Sequence, residues 1–384
     1  MRNVLITGGA GFIGSAIVNL LHEHGGWDIT VFDAMTEQIH GAHWEESYLY
    51  QTIKGKCRFI RGDVRDLESL SNALEGVEVV IHLAAETGTG QSMYEINRYN
   101  DVNVMGTSNL LQAISSAGKS NTVRKIILSS SRSVYGEGKY QCPQCGFVNP
   151  SSRTREHMLN KDFNMYCDFC GSLLTLVPTT EDTPTRPKSL YAFTKIAQEQ
   201  MLETMCPALN IDYTIFRFQN VYGVGQSLDN PYTGILSVFS TRMLQDKPVN
   251  IFEDGLESRD FVNVKDVAAG VVAALDHPES NGQVINLGSG ENTSVIEIAN
   301  ILKRAYASGS DISITGDFRI GDIAHNKADI SKAQALLGFN PSTSLEQGLE
   351  SFCAWVGGEA VHDSGYEHSL DEMEQAGMFV RGTC

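Results

Sequence analysis

A chain of 384 residues is longer than one hydrophobic core usually serves, so one large domain with a smaller partner is expected. Hydrophobic residues make up 42% and charged residues 20%, an ordinary globular balance, and no apolar run reaches the roughly eighteen residues of a membrane span or forms a signal-peptide core. The formal net charge of -17 at pH 7 opposes nucleic acid and anionic membranes as main partners, yet leaves room for a small anion held by a helix N-terminus or single arginines.

In chain order, the apolar run from Arg2 to Thr7 predicts a strand, and Gly8-Gly9-Ala10-Gly11-Phe12-Ile13-Gly14 opens an amphipathic stretch to about His24. Gly9, Gly11 and Gly14 satisfy G-x-G-x-x-G, and Gly8 adds the related G-x-x-G-x-x-G spacing. Without Cβ atoms the turn can bring its backbone close to a pyrophosphate at the helix N-terminus, alongside Phe12 and Ile13. A second strand through Ile29–Phe32 ends in Asp33, about twenty residues on, where a carboxylate can take ribose hydroxyls. Ala34 follows rather than an arginine, and Asp33 would repel a 2′-phosphate, so NAD is preferred to NADP.

Arg58 to Val64 predicts a third strand with Asp63 near the adenine, and Glu78 to Leu83 a fourth, ending in Leu83-Ala84-Ala85, small enough to pass under a cofactor. His82 reads as a packed residue rather than a catalyst. A long helix over about Asn97 to Ala117 carries Asn103 among the cofactor-binding positions, and Lys125 to Ser131 is the fifth strand. Repeated βαβ units of this kind predict an α/β fold, a doubly wound parallel Rossmann sheet with ligands at the C-terminal strand ends.

Beyond Ser129-Ser130-Ser131-Arg132-Ser133-Val134-Tyr135-Gly136 come two C-x-x-C-G turns, Cys142/Cys145 and Cys167/Cys170, with 21 residues between the pairs. Each pair can donate two thiolates to one tetrahedral ion, which predicts a structural zinc ribbon. His157 is not needed as a ligand, and the eight cysteines of the chain do not read as a disulfide framework. If Tyr191-Ala192-Phe193-Thr194-Lys195 is helical, Tyr191 and Lys195 share a face, and the ammonium can favour the ionised phenol, making Tyr191 a usable base. Tyr213 to Phe218 predicts another strand, and the tail after about Gly357 reads as looser polar sequence without an assigned role.

The glycine turn, the serine run and the Tyr-Lys pair together resemble the extended short-chain dehydrogenase/reductase family, in its NAD-dependent sugar-nucleotide epimerase and dehydratase branch. The resemblance implies that Ser131 is the catalytic serine, Tyr191 the base and Lys195 its partner and a ligand of the nicotinamide ribose. It places Asp33 on the adenosine ribose, with Asp63 and Val64 flanking adenine. It further implies that Asn220 and Arg259 contact the substrate diphosphate and that Arg319 and Asp322 hold phosphate and nucleoside. Gln219 stands where family members usually carry an aromatic or similar residue, and Asn263 where they carry histidine.

The dehydratase branch has an Asp-Glu pair immediately after the catalytic residue; here Arg132-Ser133 stands there, which favours epimerisation at C4 through a keto-sugar, and Arg132 can shape the sugar pocket. A dehydratase, a ketoreductase and a catalytically silent NAD- and zinc-binding scaffold are the alternatives. The insert and the run Pro231 to Gly234 are similar to a subgroup described as dTDP-L-rhamnose 4-epimerases. The expected partners are a dTDP-, UDP- or GDP-linked sugar and a second copy of the chain, in the cytoplasm. The expected division is an NAD-binding unit over 1–218 with the ribbon insert at 138–178, then a smaller α/β substrate unit over 219–384 with short returns to the first.

Overall fold

The computed structural model describes residues 1–228, 234–359 and 365–382. Seven parallel strands form the central sheet: β1 (Arg2–Thr7), β2 (Trp27–Asp33), β3 (Arg58–Arg61), β4 (Val79–His82), β5 (Lys125–Ser131), β6 (Asp212–Phe218) and β7 (Gln283–Leu287). Their order is β7-β6-β5-β4-β1-β2-β3, so the strand direction of growth reverses beside β1. Such a reversal opens a crevice at the C-terminal strand ends. Parallel strands are covered on both faces and read as near-continuous apolar runs; the last four residues of β1 and the first six of β5 are buried.

Helix α1 (Phe12–His24) packs one face through Ile17, Val18 and Leu21. The other face is covered by α2 (Gly106–Ala117) and α3 (Leu190–Leu209), which contribute Leu110, Leu111, Ile114, Leu202 and Cys206. Helix α4 (Val264–Ala273) joins α1, its Val267, Ala268 and Val271 in the same apolar cluster. Asn263, the residue replacing a histidine, caps it by accepting from Lys265 N at 3.0 Å, in keeping with a structural part.

Three expectations are corrected. Strand three stops at Arg61 rather than Val64, because Asp63 accepts from Arg65 N at 2.9 Å and turns the chain. The long helix is not regular: Ile96–Tyr99 is α-helical, Asn100–Met105 is a π-helix, and α2 follows. The tail is not loose within its described part. Helix α5 (Tyr366–Gln375) buries Tyr366, Leu370 and Met373, and Phe379–Val380 pairs antiparallel with Phe318–Arg319.

A separate apolar core gathers Tyr222, Leu236, Phe239, Ile298, Leu302, Phe352 and Phe379 from beyond the sixth strand. The cysteine insert is a three-stranded antiparallel sheet, Tyr140–Cys142 flanked by Gly146–Val148 and Thr175–Leu176. Of the run Pro231 to Gly234, the first three residues lie outside the described residues.

Candidate active site

The glycine turn is built for close approach. Gly8 adopts φ +70, and a Cβ on it would lie 2.7 Å from Ala84 N; one on Gly14 would lie 2.4 Å from Gly8 O. Gly11 caps α1 without a side-chain hydrogen bond, and no acidic residue occupies the first turn. An anion therefore meets backbone N–H groups at the positive end of the helix. Asp33 ties β2 to this turn, its carboxylate accepting from Ala10 N at 3.0 Å and from Met35 N at 2.9 Å. Buried His40 lies 3.8 Å from the same carboxylate, and burial holds its pKa down against the pull of Asp33.

A cavity of about 140 Å³ runs over Gly8, Asp33, Asp63, Val64, Leu83, Ala84 and Ala85. Arg65 pairs with Asp63 at 2.6 Å; burial pushes that carboxyl up, but the Arg65 hydrogen bonds outweigh it and hold the pKa below its usual value. A second cavity of about 400 Å³ continues from Gly8, Gly11, Phe12 and Ile13 to Ser131, Arg132, Tyr191, Lys195 and Asn220. The two share Gly8, Leu83 and Ala85, and together they make one groove along the C-terminal edge of the sheet. The donor set and the glycine cradle fit a dinucleotide.

Ser131 ends β5 and also caps the turn Arg132–Tyr135, accepting from Ser133 N at 3.2 Å. Ser189 caps α3 by accepting from Ala192 N at 3.2 Å, which sets Tyr191 in the first turn, facing the end of β5. Lys195, one turn on, donates to Ser129 O at 2.9 Å, with its ammonium 5.9 Å from the Tyr191 ring centroid. Burial raises the Tyr191 pKa, while a hydrogen bond with Ser131 and the charge of Arg132 pull it down. Burial also pushes Lys195 down to about 7, against Glu199. The charge acting on the phenol is thus that of Arg132, where the sequence pointed to Lys195. Arg132 itself is lowered to about 10 by burial and by Arg259, with Asp322, Glu137 and Tyr191 acting the other way.

Asn103 stands behind the groove. Its amide donates to Glu86 O at 3.1 Å and Thr194 Oγ1 at 2.9 Å and accepts from Glu86 N at 2.8 Å, tying the loop after β4 to α3. His82 is packed between Thr7 Oγ1 at 2.7 Å and Thr107 Oγ1 at 3.0 Å. Asn220 lines the groove with a buried Oδ1 that has no hydrogen-bond partner among the described residues, as does Gln226 with its Oε1. Arg259 turns its guanidinium to backbone, donating to Ser258 O and Ala324 O at 3.0 Å and Ile323 O at 2.9 Å. Arg319 and Asp322 line a separate, smaller recess with Thr89, Lys188, Met373 and Met378. Arg319 packs over Phe252 at 5.1 Å.

Two features escaped the sequence reading. Glu199 binds Arg217 at 2.7 and 3.0 Å and accepts from Ser130, a buried ion pair bracing the end of β5. The signal was a charge at a buried strand position, Arg217 within β6. Tyr99 meets Tyr191 edge-on at 6.5 Å and donates to Thr87 O at 2.5 Å; nothing in its local sequence marked it.

In the insert, the four sulfurs of Cys142, Cys145, Cys167 and Cys170 lie within 4.8 Å of one another. Cys142 Sγ accepts from Cys145 N at 3.3 Å, as in a metal knuckle, and Gly146 and Gly171 follow the pairs at φ 79 and φ 70. Tetrahedral zinc with Zn–S near 2.3 Å sets its sulfurs about 3.8 Å apart, so the set fits that ion. His157 is outside it, edge-on to Tyr166 at 5.4 Å.

A doubly wound sheet with a dinucleotide cradle and a Ser-Tyr-Lys set at its C-terminal edge defines a nucleotide-cofactor enzyme of the short-chain dehydrogenase type. Residues 4–156 and 167–288 match the NAD dependent epimerase/dehydratase family, and the chain belongs to it. It is 38% identical over 361 residues to the dTDP-L-rhamnose 4-epimerase of Burkholderia thailandensis, covering 93% of this chain and 96% of that protein. The fold is similar to that of the UDP-glucuronic acid 4-epimerase from Bacillus cereus, solved with UDP-glucuronic acid and NAD, at a TM-score of 0.76 and 28% identity over 93% of this chain and 99% of that one. The UDP-glucose 4-epimerase of Thermotoga maritima, solved with UDP-glucose, gives a TM-score of 0.74 at 28% identity over 93% and 99%.

Proposed function

We infer that the protein is an NAD-dependent nucleotide-sugar 4-epimerase. The observation that carries this reading is the single groove joining the glycine cradle to Ser131, Tyr191 and Lys195, with Arg132-Ser133 where elimination of water would need a proton-exchanging pair. The 4-epimerase names of the relatives support it. Gly8, Gly11, Phe12, Ile13, Gly14, Asp33, Asp63, Val64, Leu83, Ala84 and Ala85 would hold NAD, with Asn103 acting through the Glu86 loop. NAD bound there supplies a hydride acceptor that also returns the hydride.

Tyr191 Oη takes the proton of the sugar 4-hydroxyl as C4 gives up its hydride, and Ser131 holds that oxygen in line. Lys195 would anchor the nicotinamide ribose of bound NAD and lend positive charge as the phenolate forms. The 4-keto sugar turns over while its diphosphate stays on Asn220 and, after rearrangement, on Arg259, with Arg319 and Asp322 at the nucleoside end. Hydride then reaches the opposite face, and Tyr191 returns the proton to O4. No net oxidation results.

The cysteine insert reads as a structural zinc ribbon in which Cys142, Cys145, Cys167 and Cys170 fill all four positions, leaving none for a reacting water. We assign 1–218 to cofactor binding, with the insert at 138–178, and 219–384 to substrate binding; β7 returns to the sheet. A homodimer is proposed through the helical faces that leave Met105 and Phe193 53% and 52% exposed. Among the described residues no helix is long and apolar enough to cross a membrane, and we place the protein in the cytoplasm.

The test is to incubate purified protein, without added cofactor, with dTDP-, UDP- and GDP-linked sugars and to follow products by NMR. Interconversion of a C4 epimer pair without net NADH is expected. A stable keto product formed with loss of water would contradict the assignment.

A further inference from the structure

We propose that Arg153, carried by the cysteine insert, is a positioning residue for the nucleotide end of the substrate site, acting through the loop 317–324. The proposal rests on the nucleotide-sugar reading above, which puts Arg319 and Asp322 of that loop against the nucleoside diphosphate.

Arg153 joins three stretches of chain that are far apart in sequence. Its guanidinium grips Glu253 with both arms, Nη2 donating to Oε1 at 2.9 Å and Nη1 to Oε2. Both side chains are 2% exposed. Nη2 also donates to Asp322 O at 3.1 Å. Glu253 in turn donates its backbone N–H to Asp317 O at 2.7 Å. The pair therefore pins the loop near both ends, at Asp317 and at Asp322. Between those pins sits Arg319.

The insert grips the same loop through apolar contacts. Ala324 belongs to the small core that Tyr140, Cys142, Met165 and Leu174 make inside the insert, and Met158 and Phe163 pack on Phe318. On the far side, Glu137 accepts from Ala324 N at 2.9 Å, and Arg259 donates to the carbonyls of residues 323 and 324. A planar fork that binds a carboxylate with two arms and reaches a carbonyl with a further N–H is a geometry that lysine's ammonium cannot reproduce. None of these contacts touches β1, α1 or the glycine turn. Loss of Arg153 should therefore act on the nucleotide end and spare the dinucleotide groove.

A buried ion pair can also serve stability alone. In that case its removal would lower the melting temperature and disturb both ligands alike. The experiment separates the two. Full-length protein is compared with Arg153→Lys and with the double variant Arg153→Met, Glu253→Gln, which removes both charges of the pair. UDP, dTDP and GDP are titrated by calorimetry, retained NAD is quantified, and kcat and KM are measured on the nucleotide sugar that the protein turns over.

We expect the double variant to fold and keep its NAD while Kd for the nucleoside diphosphate and KM rise about tenfold or more, the scale of a lost hydrogen bond to a charged group. kcat should change less than KM, and Arg153→Lys should fall in between. An unchanged Kd in the double variant, or loss of NAD in parallel, overturns the proposal. If the unaltered protein binds none of the three nucleoside diphosphates, the nucleotide-sugar reading fails first and takes this proposal with it.

Discussion

The phenol of Tyr191 is held above its ordinary pKa by burial, and only the Ser131 hydrogen bond and the Arg132 charge oppose that. Tyr191→Phe is expected to cut turnover about a hundredfold to ten-thousandfold, the range of a lost general base, with retained NAD unchanged on extraction. Turnover equal to the parent would remove Tyr191 from its role. Glu257 offers a pH test away from the groove. Burial and the neighbouring Glu253 push its carboxyl up to about 8, against Arg259. A raised folded pKa means that the native state holds the proton more tightly than the unfolded chain. Its stabilising contribution is full below about pH 4.5 and is lost as pH rises through about 8. Melting temperature should therefore fall less steeply between about pH 5 and about pH 8 in Glu257→Gln than in the parent; parallel profiles there would contradict this.

At the scale of elements, what could be read from the sequence was what depends on local spacing. The glycine turn, the Tyr-Lys pair one helical turn apart and the two C-x-x-C-G knuckles each carry their geometry within seven residues or fewer. What could not be read depends on partners distant in the chain. The use of Asn103, within the π-helix at Asn100–Met105, as a tether rests on Glu86 and Thr194, contacts 17 and 91 residues away. The tail is an intermediate case. Tyr366, Leu370 and Met373 form a helical stripe that the sequence displayed, whereas the pairing of Phe379 with Arg319 needed the folded chain. The knuckles carry the prediction that belongs here. Purified protein should hold about one zinc per chain, and stripping it with a strong chelator should open the insert to protease while NAD stays bound. A metal-free chain with the insert fully protected would contradict the zinc assignment.

For the whole molecule, the sheet supplies a rigid edge on which cofactor and catalytic residues converge, and the second core supplies the loops that meet the nucleotide. The strand order, reversing beside β1, explains why the groove lies where it does. The charge of -17 remains compatible with an anionic substrate because Arg132 lines the groove with Arg259 close enough to lower its pKa, while Arg319 lines the separate recess. Fold class and cofactor groove were legible because βαβ repetition fixes both. The separate recess holding Arg319 and Asp322 was not, since the insert and the tail that shape it join the loop through contacts across more than a hundred and about sixty residues respectively. The central claim is hydride removal and return at one carbon. The measurement that tests it most directly is to run the reaction in D2O with the nucleotide sugar that the protein converts and to read the epimer's proton spectrum. The expected product is inverted at C4 and carries no solvent deuterium at any ring carbon, since hydride never exchanges with water. Deuterium at C3 or C5, marking inversion through an enol or elimination of water, would contradict the account.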